Sequence, residues 1–265
     1  MPPVLFSDLP AEIRLEIAAY VVEQSQDTGL FYQDAIEPEN TGIVDMFCDE
    51  ATVPGWRVDC RYSPANNLSL LLVCRQFHAD FQNLAYQRTR FVLLQKAVPI
   101  IHQQPARVLS NLRRLVLYCD LPTLASWDQY LFNDERLQLD ELCIALCVKQ
   151  RRNEKYPILV KLLRTLQNVK AIRFVLHPGW QDRIDGNALI GAILKEDHYQ
   201  RYDAPNAPNL ETTWWTWSQP TNISDFLFVA QQPKPLMDEQ TYMKFAKPKI
   251  DEAILNMAAA HTGQL

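Results

Sequence analysis

The sequence predicts a mixed α+β and α/β protein in two parts. Residues 1–90 form a helical module with a long insertion at about 24–67, and residues 91–265 form an α/β domain. Three observations lead there. Two segments near the start carry apolar residues at helical spacing. A long stretch containing Phe31, Tyr32, Phe47, Trp56 and Tyr62 separates them. Beyond residue 91 a short strand-like pattern of apolar residues recurs, with helical stretches between its copies.

The first segment predicts a helix over 7–23. Ser7 and Asp8 precede Leu9-Pro10, and proline suits the first helical position because its missing N–H would have had no partner there. Glu12 in the first turn complements the helix dipole. Ile13, Ile17, Tyr20 and Val21 make one apolar stripe, and Leu15, Ala18 and Val22 make a second. The second segment predicts a helix over 69–86, with Ser69 as its cap. Leu70, Val73, Cys74, Phe77, Phe81, Leu84 and Ala85 keep its period. The two helices are expected to pack through their stripes, with Ile17 inside. The insertion is expected to be dispensable, since loop length costs little once the ends are held.

Leu9-Pro10-Ala11-Glu12-Ile13-Arg14-Leu15-Glu16-Ile17 resembles the opening of an F-box, LPxE(I/L)xxxI. Leu70-Leu71-Leu72-Val73-Cys74-Arg75-Gln76-Phe77 resembles its second half, LxxVCRxF. Asp80, Ala85-Tyr86 and Phe91 hold the places of an acidic residue, a Leu-Tyr pair and an aromatic strand in a large fungal family of F-box-like proteins. The likeness covers about the first third of the chain. An ordinary F-box joins its halves by a short turn, whereas here Glu23 to Leu68 intervenes. The resemblance implies docking to the Skp-type adaptor of a cullin–RING ubiquitin ligase. The adaptor-facing set would include Leu9, Pro10, Ile13, Ile17, Leu72, Val73 and Phe77. The alternative is that these side chains pack only within the chain.

Past residue 91, Leu109-Ser110-Asn111-Leu112-Arg113-Arg114-Leu115-Val116-Leu117 matches Leu166-Gln167-Asn168-Val169-Lys170-Ala171-Ile172-Arg173-Phe174. A partial copy is Leu139-Asp140-Glu141-Leu142-Cys143-Ile144, and Ile223-Ser224-Asp225-Phe226-Leu227-Phe228 is a fourth. All share φ-x-x-φ-x-φ, with φ apolar, the strand core of a leucine-rich repeat. Helices are expected at 157–166 and 187–196 as crossovers between parallel strands. The expectation is an irregular leucine-rich-repeat-like α/β domain; the alternative is an ordinary α/β domain with chance matches.

Residues 178–221 interrupt that pattern and are rich in aromatic side chains. Trp180, Trp214, Trp215 and Trp217 are the candidates for target contact, because tryptophan buries a large area with few torsions. The other reading is a lid that buries its own tryptophans, with Trp214–Trp217 as a strand.

Composition narrows the function. The net charge of −5 argues against a general polyanion binder, so no nucleic-acid partner is expected. No apolar run reaches the ~18 residues of a membrane span, and the start reads as no secretory signal, so a cytoplasmic or nuclear place is expected. The six cysteines form no CxxC pair, and the histidines show neither HxxxH nor HExxH. With seven glycines and no GxSxG, P-loop or GxGxxG, the chain offers no catalytic, cofactor or metal residues, and a non-enzyme is expected. The sequence therefore points to an F-box-like adaptor that recruits a target protein. The alternative is a non-catalytic scaffold that keeps the fold without the ligase.

Overall fold

The computed structural model of the chain describes residues 5–22, 29–33, 55–58, 62–93, 100–101, 103–119, 134–146, 158–163, 166, 168–175, 182–205, 214–218, 225–231 and 237–261. The architecture is α+β: helices, a two-stranded hairpin and a mixed six-stranded sheet. Two compact units divide the chain. One is Met1–Tyr118 with Arg136–Cys143, and the other is Cys119–Glu135 with Ile144–Leu265. No helix among the described residues is long and apolar enough to cross a membrane.

In the first unit, α1 (Ala11–Val21) follows a short 3-10 turn at Phe6–Asp8. Pro10 is the residue before the helix, where its carbonyl accepts from the Arg14 N–H at 3.1 Å. The second predicted helix is not continuous. Ala65–Leu68 forms α2, Ser69–Leu72 tightens to a 3-10 turn, and α3 runs from Arg75 to Arg88. Cys74 is extended at the junction, and its Sγ accepts from the Phe77 N–H at 3.5 Å. Cys74 thus takes the capping role expected of Ser69, whose hydroxyl donates instead to the Asn66 carbonyl. The extended residue resets the helical phase, so Leu72 and Val73 do not share a stripe with Phe77 and Phe81.

Helices α1 and α3 do pack together, around Ala18, Leu71, Phe81 and Ala85. Phe77 and Phe81 meet edge to face at 5.1 Å, and Phe6 lies 5.1 Å from Phe77. The buried side of α1 is the small one, Ala18 and Val22. Ile17, expected inside, is 40% exposed, which corrects the expected packing of the stripe.

The insertion contributes ordered structure. Strand β1 (Leu30–Gln33) pairs antiparallel with β2 (Gly55–Val58), Gln33 facing Gly55. Tyr62 then reaches β3 (Arg90–Leu93). Its hydroxyl donates to the Arg90 carbonyl at 2.7 Å and accepts from the Val92 N–H at 3.0 Å. Gly29 has φ +73, and a Cβ there would stand 2.8 Å from the Tyr62 ring and 2.9 Å from the Val92 side chain. Tyr62 and Gly29, inside the expected dispensable stretch, thus close onto β3, so its complete replacement is expected to remove these contacts.

Strand β3 pairs in parallel with β4 (Arg114–Cys119), Phe91 opposite Leu115, and the short α4 (Ala106–Leu109) lies between them in sequence. The sheet continues in the order β3-β4-β5-β6-β8-β7, where β5 is Glu141–Leu146, β6 Ala171–Val175, β7 Trp214–Ser218 and β8 Asp225–Gln231. In the three earlier copies every φ is buried: Leu112, Leu115 and Leu117; Leu139, Leu142 and Ile144; Val169, Ile172 and Phe174. Val116 and Cys143 between them and Ala145 after them are buried as well, so β4 and β5 are covered on both faces, and only β6 begins with the alternation of a half-covered strand. The fourth copy departs. Strand β8 runs antiparallel to β6, with Phe228 opposite Ile172, so it is no parallel repeat.

In the second unit, residues 158–163 are helical, as expected for 157–166. Helix α5 (Asp182–His198) overruns the expected 187–196 and ends in a π-helical turn at Tyr199–Asp203. It packs against α6 (Glu239–His261). Strand β7 is the expected tryptophan strand, pairing antiparallel with β8.

Candidate interaction surface

The candidate surface begins with Arg14. This side chain is 11% exposed, and its partners Ser7, Leu9 and Asp80 all lie inside the first unit. Nη1 donates to the Leu9 carbonyl at 2.7 Å and to the Ser7 carbonyl at 3.2 Å. Nε donates to Asp80 Oδ2 at 3.1 Å, and Nη2 stands 2.9 Å from the same oxygen. One guanidinium thus ties the Leu9-Pro10 turn and α1 to α3, using several of its five donors at once.

That anchoring decides which face of α1 meets solvent. Arg14, Ala18 and Val22 recur every four residues and lie inward. Ile13, Ile17, Tyr20 and Val21, the predicted stripe, lie outward, and Tyr20 is 84% exposed. Leu15 is exposed as well. In the break before α3, Leu72 is 86% and Val73 62% exposed. Exposed large apolar groups in such number on one small unit are unusual for a surface with no partner.

Of the seven sequence-predicted adaptor residues, Pro10, Ile13, Ile17, Leu72 and Val73 are exposed. Leu9 is half-buried beside its bond to Arg14, and Phe77 is half-buried in the aromatic cluster, where it serves the core. Tyr20 and Val21, outside that set, continue the exposed stripe at i+7 and i+8. Arg14 carried no functional expectation at all. The signal that finds it is its position inside an apolar helix, four residues before Ala18.

The four tryptophans separate. Trp180 lies outside the described residues. Trp214 occupies the first position of β7, but its side chain lies outside them too. Trp215 is 5% exposed, and its indole N–H donates to the Leu163 carbonyl at 2.9 Å, so it is a core residue rather than a contact for a target. Trp217 is half-buried, with the Lys249 ammonium 4.8 Å from its ring centre.

A second polar cluster sits where α5 meets α6. Asp197 accepts from Arg201 Nε at 2.9 Å, both side chains being buried. His198 lies 3.1 Å from Glu239 and 3.3 Å from Asp203 through its two ring nitrogens. Burial pushes the Tyr242 hydroxyl far above the ordinary tyrosine range, with Asp197 adding to the shift. A phenol held so firmly neutral acts as packing and not as an acid near neutral pH.

No family model, no curated protein and no solved structure matches the chain.

Proposed function

We propose that this chain is a non-catalytic F-box-like adaptor that brings a target protein to a Skp–cullin–RING ubiquitin ligase. On this reading residues 1–90 are the docking module and the remainder is an irregular leucine-rich-repeat-like domain that selects the target, in the cytoplasm or nucleus. The observation that carries it is the pair of unpartnered apolar segments, Ile13, Ile17, Tyr20 and Val21 on α1 with Leu72 and Val73 before α3. Desolvated apolar anchors carry most of the energy of a protein interface. The buried φ-x-x-φ-x-φ positions on β4, β5 and β6 support the repeat-like part.

The test is a titration of purified Skp adaptor against the parent and against Ile17→Asp combined with Leu72→Asp. Both positions are exposed, so the fold survives, with circular dichroism as the control. The expected loss is about tenfold or more, ~1.4 kcal/mol per decade. A parent that shows no binding at tens of micromolar rejects ligase docking.

A scaffold that keeps the module without the ligase is the second reading. The observation that favours it is the insertion, which replaces a short turn and is bonded to β3 through Tyr62. Fold likeness by itself does not carry activity.

A further inference from the structure

Helix α6 carries Phe245 and Lys249 one turn apart, at i and i+4, so their side chains are neighbours on its surface. Strand β7 presents Trp217 to the same place. The Lys249 ammonium lies 4.7 Å from the Phe245 ring centre and 4.8 Å from the Trp217 ring centre. Two aromatic faces therefore flank one cation, each within the ~6 Å over which a ring quadrupole attracts it. Glu252 acts on the ammonium at longer range. Burial between the rings holds Lys249 below the usual lysine range, so the site withdraws water from the charge it holds.

We propose that Trp217 and Phe245 form a recognition site for a quaternary ammonium group, filled in the resting protein by the chain's own Lys249. A primary ammonium is a poor permanent occupant, because it carries three N–H donors that aromatic faces do not satisfy as water does. A quaternary ammonium has no N–H, is weakly hydrated, and presents methyl groups to both rings. It is the better guest chemically. Lys249 holds the place through its tether, which gives it a high effective concentration. Pro248, directly before it, has no N–H to donate to the Lys244 carbonyl. The helix is therefore weakly held where Lys249 must withdraw. Phe245 is 38% exposed, which leaves a route for the guest.

The site does not depend on ligase docking, and its test uses the full chain alone. Tetramethylammonium chloride is titrated into the parent, Lys249→Ala, and Lys249→Ala with Trp217→Ala, against sodium chloride at equal ionic strength. The readout is the indole N–H resonance of Trp217 for the first two, and the methyl linewidth of the ligand for all three. Circular dichroism checks each fold. The expected result is saturable binding by Lys249→Ala, at least tenfold tighter than by the parent, lost when Trp217 is also replaced. No saturable binding by Lys249→Ala, or binding that persists without Trp217, overturns the proposal. A trimethyl-lysine in a Gly/Ser peptide and free choline then separate the two sources of such a group. Tighter binding of the peptide assigns the site to a modified target protein, and tighter binding of choline assigns it to a small molecule.

Discussion

Arg14 and Asp80 stand 66 residues apart in sequence and share an ion pair of 2.9 Å reinforced by a second bond from Nε. The same guanidinium holds the carbonyls of Ser7 and Leu9. Removing the carboxylate leaves a charge with little access to water and only carbonyl partners. Asp80→Ala is expected to cost about 2 kcal/mol, and Asp80→Asn less, since an acceptor remains. Urea denaturation measures both; equal melts for parent and Asp80→Ala would show that the pair does not hold α1 on α3.

The exposure of α1 makes an asymmetric prediction. Ile17→Asp is expected to shift stability by less than about 1 kcal/mol, because the new charge meets solvent. Phe81, fully buried between its aromatic neighbours, is the opposite case, and Phe81→Ala is expected to cost about 3–5 kcal/mol. Thermal melts of the two variants check this. A severe loss at Ile17 would mean that the stripe is covered within the chain.

Tyr62 satisfies a donor and an acceptor of β3, and Phe in its place leaves both without it. Tyr62→Phe is expected to cost about 1–3 kcal/mol. Gly29→Ala is expected to destabilise too, since it adds a Cβ against the same ring at a positive φ. Denaturant midpoints test both.

Gln33 and Gly55 face each other in the hairpin register, so a two-residue turn can join them. Replacing 34–54 by Asn-Gly is expected to leave a cooperative fold, whereas replacing all of 24–67 removes Tyr62 and is expected to destabilise it. Circular dichroism melts of the two deletions decide between them.

Asp238 caps α6: Oδ1 accepts from the Thr241 N–H at 2.9 Å and Oδ2 from the Thr241 hydroxyl at 2.7 Å. These bonds hold its carboxyl below the usual aspartate range. A depressed carboxylate stabilises the fold above its unfolded value and loses that contribution as pH falls through the lower folded one. Asp238→Ala should therefore melt below the parent near neutral pH. The gap should begin to narrow as pH falls through about 4, where the unfolded carboxyl takes up its proton, and close only below the lower folded value, where it is protonated in both states. A gap independent of pH would show that the side chain stabilises by packing.

Local periodicity determined much of this molecule. The φ positions of the φ-x-x-φ-x-φ copies at β4, β5 and β6 are buried, so the pattern marked the strands; Val116, Cys143 and Ala145 beside them are buried too, because β4 and β5 are covered on both faces. Helices α1 and α5 and the tryptophan strand β7 were legible for the same reason. Tertiary structure decided the rest. Periodicity offers two apolar stripes on α1 without ranking them, and the inner face, Ala18 and Val22, is the one that lies in line with Arg14, which pairs with Asp80 across the chain. The antiparallel entry of β8 beside β6 is likewise a pairing choice that no φ-x-x-φ-x-φ string encodes. Tyr62 on β3 and Lys249 between Trp217 and Phe245 are also meetings of distant residues. A local pattern says which groups avoid water; only the assembled chain says which distant partner each one meets.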